Sequence, residues 1–383
     1  MCGIAGFLSF DKLYTESQLQ IITTRLSHRG PDASGYFYDG ICGLGHRRLS
    51  IIDLSENANQ PMYSENDRYV IIYNGEVYNF HELGAELMQN KHAGFKFKTS
   101  SDTEIILEAF LQYGENFVEH LNGMFAIAIY DKTEQSLLLY RDRIGIKPVF
   151  YYWDGQNILF ASELKSIVAI KENELKVNNK SVYDFLHLGF IPAPNTIYQD
   201  VFKLNPGAYL KADKTSLKKK VYWSLKDKIT TKTISNKEEA LVKLSDLIMS
   251  SVQYQLRSDV PFGVFLSGGI DSSLVTAQAV NISGVKINTF SIGFEENKYN
   301  ESSYARAVAK HLDTKHHEFI VSYKNAIDLI DAGFESYDEP NADSSIIPTM
   351  LVSKLARNHV TVCLSGEGGD ELFLGYGTYQ WAR

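Results

Sequence analysis

Phe262-Gly263-Val264-Phe265-Leu266-Ser267-Gly268-Gly269-Ile270-Asp271-Ser272-Ser273 is the stretch around which this chain is organised. Val264, Phe265 and Leu266 form a short apolar run, and Ser267, Gly268 and Gly269 end it abruptly. Beyond them Leu274, Val275 and Ala279 recur at helical spacing, so the segment reads as buried strand, tight loop and helix. Two glycines let the backbone approach a ligand closely and take positive φ. The loop and the helix start then aim several N–H groups, with the Ser267, Ser272 and Ser273 hydroxyls, at one spot, which is an anion site suited to phosphate. The loop is too short for a Walker motif, and no lysine precedes Ser272.

Length and composition bound the rest. A chain of 383 residues is expected to form two or three domains. Apolar and charged fractions of 44% and 22% are those of an ordinary globular protein. A net charge of −8 argues against sequence-independent binding to nucleic acid or anionic lipid, so neither is expected as a partner. Cys2, Cys42 and Cys363 are odd in number and widely spread, with no metal or disulfide spacing. No basic start precedes Gly3-Ile4-Ala5-Gly6-Phe7-Leu8, and no apolar run reaches the length of a membrane span. A reducing, cytoplasmic setting is the expectation.

The start of the chain carries the second signal. Loss of Met1 would leave Cys2 with its thiol and its α-amine on one residue. A free thiol, with a pKa of about 8.5, is only roughly 3% thiolate at pH 7. An α-amine at about 7.7–8.0 is the nearest base for its proton. Ser27-His28-Arg29-Gly30-Pro31-Asp32 is a turn-rich loop, and Gly45-His46-Arg47-Arg48-Leu49-Ser50-Ile51-Ile52-Asp53 sets two guanidinium groups beside an apolar strand. Such a group can fork onto a carboxylate. After the strand Tyr69–Tyr73, the Asn74 amide and the Gly75 N–H are donors suited to an oxyanion, and Glu76 could hold an ammonium. Ser101 caps a helix whose Asp102 offers a second carboxylate. The convergent ligand is a small zwitterion with a side-chain acyl group, which is glutamine.

In that order, Cys2-Gly3-Ile4, His28–Asp32, Arg48–Ile51, Asn74–Glu76 and Ser101-Asp102 resemble the glutaminase domain of class II glutamine amidotransferases. The resemblance implies Cys2 as nucleophile and Asn74 with Gly75 as oxyanion hole. It also implies Arg48 on the glutamine α-carboxylate, Ile52 in contact with glutamine, and Glu76 and Asp102 on its α-amine. The implied fold is an N-terminal-nucleophile αββα sandwich, which the alternation in Gly123–Tyr130 and Ser136–Tyr140 suits. Arg141-Asp142-Arg143-Ile144-Gly145-Ile146-Lys147-Pro148, also recurrent in these enzymes, reads as structural.

Lys171 to about Ile234 reads as an ordered crossover with short strands and a solvated basic triplet, Lys218-Lys219-Lys220. A helix over Asn236–Gln255 and strands at Ile287–Phe294, His317–Val321 and Val360–Leu364 then alternate with helices, the signature of a doubly wound α/β sheet. Ser365-Gly366-Glu367-Gly368-Gly369-Asp370-Glu371 is a second glycine loop at a strand end, and Tyr337–Ser345 is a polar loop that fits an acceptor pocket. Adjacent His316 and His317 on a strand face opposite ways, which speaks against a metal site there.

Ser267–Ser273 resembles the loop of enzymes that split ATP to AMP and pyrophosphate, and its pairing with a Cys2 glutaminase resembles the glutamine-hydrolysing asparagine synthetases. That resemblance implies ATP and Mg2+ as cofactors. Leu266, Ser267, Gly268, Gly269, Asp271, Ser272, Ile292, Ser365 and Gly366 would bind the nucleotide, Asp271 and Asp370 the metal, and Glu367 would serve an aspartyl-adenylate step. Glutamine, aspartate and ATP are the implied substrates, ammonia passes internally from Cys2, and a homodimer is allowed for. The alternative is the same machinery amidating another carboxylate, such as a sugar acid in polysaccharide biosynthesis. The expected layout is a glutaminase domain at 1–170, a crossover packed on it at 171–236, and an ATP-pyrophosphatase domain at 237–383. That last domain is expected to be incomplete, since Leu372–Arg383 reads as a helix start with nothing after it.

Overall fold

The structure is a computed structural model that describes residues 1–90, 95–229, 233–295, 300–322 and 327–381. The chain forms two compact units, Met1–Thr230 with Tyr337–Ala342, and Thr231–Ser336 with Asp343–Arg383.

The first unit holds two six-stranded sheets. One contains β1 (Gly3–Leu8), β2 (Ala33–Tyr38), β3 (Cys42–Arg48), β8 (Phe150–Trp153), β9 (Ile158–Ala161) and β10 (Val201–Lys203), ordered β10-β8-β9-β1-β3-β2. The other contains β4 (Met62–Tyr63), β5 (Tyr69–Val77), β6 (Gly123–Asp131), β7 (Ser136–Arg141), β11 (Ala208–Ala212) and β12 (Leu217–Val221), ordered β12-β11-β7-β6-β5-β4. Strand alternation explains the layering. Ala126, Ala128 and Tyr130 of β6 meet Ile4 and Leu8 of β1 between the sheets. Phe125, Ile127 and Ile129 point the other way, onto Leu83, Leu87, Ile106 and Phe110 of helices Phe80–Gln89 and Asp102–Tyr113. Ala5 and Phe7 of β1 face Leu19 and Ile22 of helix Glu16–Thr24. Both faces of each central strand are thus buried, which gives the four layers αββα.

Residues from Val201 to Val221 join the two sheets as strands rather than lying on them. Their basic triplet sits on β12, at the edge of its sheet, where exposed lysines discourage pairing with another chain. Of the Tyr337–Ser345 loop, the stretch Tyr337–Ala342 belongs to the first unit. Lys165 Nζ lies 3.3 Å from Asp338 Oδ1, and Lys203 Nζ lies 2.6 Å from Glu339 Oε2. Both carboxylates are therefore committed within the first unit.

The second unit is built on a parallel sheet of β13 (Phe262–Phe265), β14 (Asn288–Phe294), β15 (Lys315–Val321) and β16 (Val362–Leu364), ordered β15-β14-β13-β16. Helix Lys237–Gln255 starts at Asn236, whose side chain accepts from Glu239 N as an N-cap. With helix Ile270–Ser283 it covers one face, where Val252, Val264, Ala279 and Leu364 pack. Helix Ile346–Arg357 covers the other through Phe290, Ala356 and Val360. The expected single helix from Leu372 is instead two short ones, Gly369–Phe373 and Gly377–Trp381. Leu374, at φ +59°, ends the first in the left-handed region. Ala382 and Arg383 lie outside the described residues.

Candidate functional site

Cys2 stands just before β1, and the start of that strand is held tightly. Ile4 N donates to Ser162 Oγ at 3.0 Å, and Arg29 Nε donates to Cys2 O at 2.9 Å. Arg29 is itself fixed by Glu163, with Nη1 to Oε1 at 2.8 Å. The thiol is 3.4 Å from the donating Leu49 N. Burial pushes the Cys2 thiol up, against the opposing pull of the Leu49 N–H, so it rests protonated and needs a base. The α-amine of Met1 occupies the same environment. Burial, with Arg29 and Lys147 nearby, brings it down to about 6. An amine there is largely free base at pH 7.

Asn74 lies on β5 in register with Ala126, and its neighbour Gly75 opposes Phe125. The Asn74 side chain is fully buried, and neither Nδ2 nor Oδ1 has a hydrogen-bond partner. Buried amides are normally satisfied, since an orphaned one costs roughly 1–3 kcal/mol. An orphan at this place is what an oxyanion donor awaiting its ligand looks like. A Cβ on Gly75 would sit 2.2 Å from Met124 O, so the strand passes only if this residue is glycine.

Glu76 and Asp102 are close enough to influence the Cys2 thiol electrostatically. Burial and then the Asp102 charge raise Glu76 to about 8. Burial also raises Asp102, although Val77 N at 3.0 Å and Tyr73 Oη at 2.8 Å both donate to its Oδ2. Two carboxyls that resist ionising together form a receptor for one cation, such as an α-ammonium.

Arg48 behaves otherwise than expected. Its Nη1 donates to Ser55 O at 2.8 Å and Asn59 Oδ1 at 2.7 Å, and its Nη2 to the carbonyls of Ile52 and Asp53. The guanidinium holds the loop after β3 together and presents no free fork to a carboxylate. Ile52, half-buried, packs its side chain against the core beside helix Asp102–Tyr113.

In the second unit β13 lies between β14 and β16, so the chain's progression across the sheet reverses beside it. Ligands of such sheets bind outside strand C-termini at that switch point. Both glycine loops emerge there. Leu266 is buried and its N–H donates to Phe290 O at 2.8 Å. Gly268 takes φ +89°, and a Cβ on it would lie 2.5 Å from Ala305 N, so the turn is closed to any other residue. Ser267 Oγ and Ser272 Oγ are 2.9 Å apart, and Ser267 Oγ accepts from Gly269 N at 3.2 Å. Gly269 then starts the fourteen-residue helix Ile270–Ser283 without a side-chain cap. Ser273 Oγ is buried and unpaired.

The second loop packs against the first. A Cβ on Gly366 would be 2.8 Å from Ser272 N, and one on Gly369 only 2.5 Å from Asp271 Oδ2. Ser365 Oγ accepts from Glu367 N at 3.2 Å, and the Glu367 side chain is exposed. The Asp271 carboxylate lies against Gly369, and the Asp370 carboxylate lies against Gly375. Ile292 is half-buried near the C-terminal end of β14. Among the described residues no group of three His, Cys, Asp or Glu side chains converges. Two carboxylates on touching loops still fit Mg2+, which takes one or two of them and completes its shell with phosphate and water. His316 and His317 face opposite ways, His316 onto Thr289 at 3.0 Å and His317 stacked 3.9 Å from His359.

Residue-by-residue reading overlooked several participants. Leu49 acts through its backbone, which no side-chain pattern reveals. Tyr73 and Glu163 act through partners distant in the sequence. Lys147, read as structural, is only 4% exposed and belongs to the Cys2 environment. Among the described residues no helix is long and apolar enough to cross a membrane.

Comparison with known proteins matches both units. Residues 1–223 match the family described as glutamine amidotransferase domain, and residues 243–383 that described as asparagine synthase. A Methanocaldococcus jannaschii protein provisionally named asparagine synthetase [glutamine-hydrolyzing] 2 is 40% identical over 99% of this chain and 76% of its own. Asparagine synthetases [glutamine-hydrolyzing] 1 and 3 of Bacillus subtilis are 38% and 34% identical over 99% and 98% of this chain. The chain spans 60% and 63% of those two relatives.

Proposed function

The chain belongs to the family of glutamine-hydrolysing asparagine synthetases, and from that premise we propose that it hydrolyses glutamine at Cys2 and uses the ammonia to amidate aspartate at the expense of ATP. The observation that carries the reading is the buried, unpartnered amide of Asn74, on the strand whose Glu76 acts on the Cys2 thiol.

With Met1 removed, the α-amine of Cys2 takes the thiol proton, and the sulfur attacks the side-chain carbonyl of glutamine. The tetrahedral oxyanion is held by Asn74 Nδ2 and Gly75 N–H. The C–N bond breaks as the α-ammonium returns its proton to the leaving nitrogen, which departs as ammonia. Water then cleaves the thioester to glutamate and free thiol. Glu76 and Asp102 hold the α-ammonium of the substrate. Arg48 contributes by shaping the loop that carries Ile52.

In the second unit, the Ser267–Ser272 loop and the start of helix Ile270–Ser283 bind ATP phosphates, with Leu266, Ile292, Ser365 and Gly366 around the nucleotide. Asp271 and Asp370 would hold Mg2+, which would supply positive charge to the ATP phosphates. The aspartate β-carboxylate attacks the α-phosphate to give β-aspartyl-AMP and pyrophosphate. Ammonia, delivered without release to water, then displaces AMP and leaves asparagine, with Glu367 attending the adenylate step.

The test is an acceptor screen with glutamine and ATP. Aspartate-dependent AMP and pyrophosphate, with asparagine formed, is the expected result. ADP as the main nucleotide product would overturn the ATP chemistry. Amidation of sugar acids in preference to aspartate would overturn the acceptor.

A further inference from the structure

The segment from Arg141 to Lys147 carries four charges, and three of them are spent on backbone groups. Arg141 donates to the carbonyls of Gly145, Lys147 and Leu204 at 2.6–2.9 Å. Asp142 accepts from the N–H groups of Phe125, Ile146 and Lys147 at 2.8–3.2 Å. Arg143 donates to Leu121 O and Glu119 O. The loop is thereby fixed with Lys147 pinned through both its N–H and its carbonyl.

The ammonium of Lys147 is the exception. The residue is only 4% exposed, and among the described residues the one contact within hydrogen-bonding reach of Nζ is Met1 Sδ at 3.3 Å. The same sulfur lies 3.9 Å from Arg29 Nη2. Two cations therefore bound the space that the Met1 side chain fills. An apolar residue would bury more cheaply at position 147, because an ammonium without a counter-ion is costly inside a protein. Once Met1 is removed, that space opens beside the α-amine of Cys2.

We propose that Lys147 is a positioning residue of glutamine hydrolysis, whose buried ammonium, held against the start of the chain, sets the charge environment in which Cys2 gives up its thiol proton. This rests on the Cys2 reading above. The charged groups around the α-amine of Met1, the residue joined to Cys2, are Arg29 from the loop after helix Glu16–Thr24, Glu76 from β5, Lys147, and the Cys2 thiol. Asp102 faces the thiol from its helix, and Asp142 lies behind Lys147. Lys147 adds a positive charge that opposes protonation of an amine at the position of the Met1 α-amine, interacts favourably with an ionised Cys2, and partly offsets the burial and the Asp102 charge that raise Glu76. All three effects ready the site for a zwitterionic substrate.

The experiment compares Lys147→Met, Lys147→Arg and Cys2→Ala in the full chain, with mass spectrometry to verify loss of Met1. Two readouts are followed against pH: kcat/KM for glutamine hydrolysis, and the rate of Cys2 alkylation by iodoacetamide without glutamine. Lys147→Met is expected to move the acid limb of both profiles up by roughly one unit, the usual effect of one close charge. Lys147→Arg keeps the limb where it was. Should the methionine variant fail to fold, Lys147→Gln removes the charge and keeps the polarity. A folded, uncharged variant with unmoved limbs would overturn the proposal while leaving the Cys2 reading intact. Hydrolysis that survives in Cys2→Ala would instead overturn the reading beneath it.

Discussion

Tyr73 Oη donates to Asp102 Oδ2 at 2.8 Å, and both residues are buried, at 3% and 5% exposure. The bond stabilises a carboxylate that burial otherwise pushes towards its neutral form. A hydrogen bond to a charged group is worth about 1.5–3 kcal/mol. Tyr73→Phe keeps the ring and removes the bond, so KM for glutamine should rise on the order of ten-fold with kcat little changed. Steady-state glutamine hydrolysis reads this directly, and an unaltered KM would separate Asp102 from substrate binding.

Glu76, held up at about 8 by burial and Asp102, sets a pH dependence. Its folded value lies above the unfolded value of about 4.3, so its stabilising contribution is complete below pH 4.3 and lost as pH rises through 8. Ionised Glu76 burdens the empty site and is relieved by an ammonium. KM for glutamine should therefore fall as pH rises from 6 to 8, whereas Glu76→Gln should have a high KM across that range. A wild-type KM independent of pH would count against the assignment.

For Asn74→Ala we expect a loss in kcat of about 10²–10³ with little change in KM, the usual effect of removing one oxyanion donor. Because the native amide is unsatisfied, the variant should be no less stable to heat than the wild type. A marked fall in Tm would point to a structural role instead.

Gly268→Ala places a Cβ 2.5 Å from Ala305 N, in a backbone conformation that favours glycine. It should abolish ATP-dependent pyrophosphate release while glutamine hydrolysis continues, and Asp271→Asn should do the same. The two assays run side by side on each variant. Loss of both activities together would mean that these residues serve more than the nucleotide.

Glu163 joins Arg29 and His28, at 2.8 and 3.0 Å. Burial works to raise its carboxyl, but the Arg29 hydrogen bond and charge outweigh it, and the folded value is lowered. A depressed carboxylate contributes stability above its unfolded value of about 4.3, and that contribution is lost as pH falls through the folded value. Glu163→Gln should thus lower Tm at pH 7, with the difference closing below about pH 4. Thermal unfolding at the two pH values tests it, and a constant difference would deny the ion pair its role.

The local devices of this protein were legible in the order of its residues. Two-residue alternation marked β6 and β7, helical spacing marked Lys237–Gln255, and glycine with serine marked the loops after β13 and β16, because such preferences act over a few residues. The residue types around Cys2 could be collected in the same way. Tertiary structure alone decided what each was free to do. Arg48 has the right chemistry for a carboxylate, yet the fold closes the Ile52–Asn59 loop over its guanidinium. Asn74 is an ordinary strand residue until sheet packing buries it without a partner. Asp338 is one more acidic residue of a polar loop until it meets Lys165, 173 residues away. Lys147 looks like one more charge in a basic loop until its neighbours' charges are seen to be spent on backbone groups. Each outcome depends on which distant groups arrive at the same place. Burial, charge and hydrogen-bond supply are properties of that arrival, and they set the chemistry of groups whose identity the sequence already named.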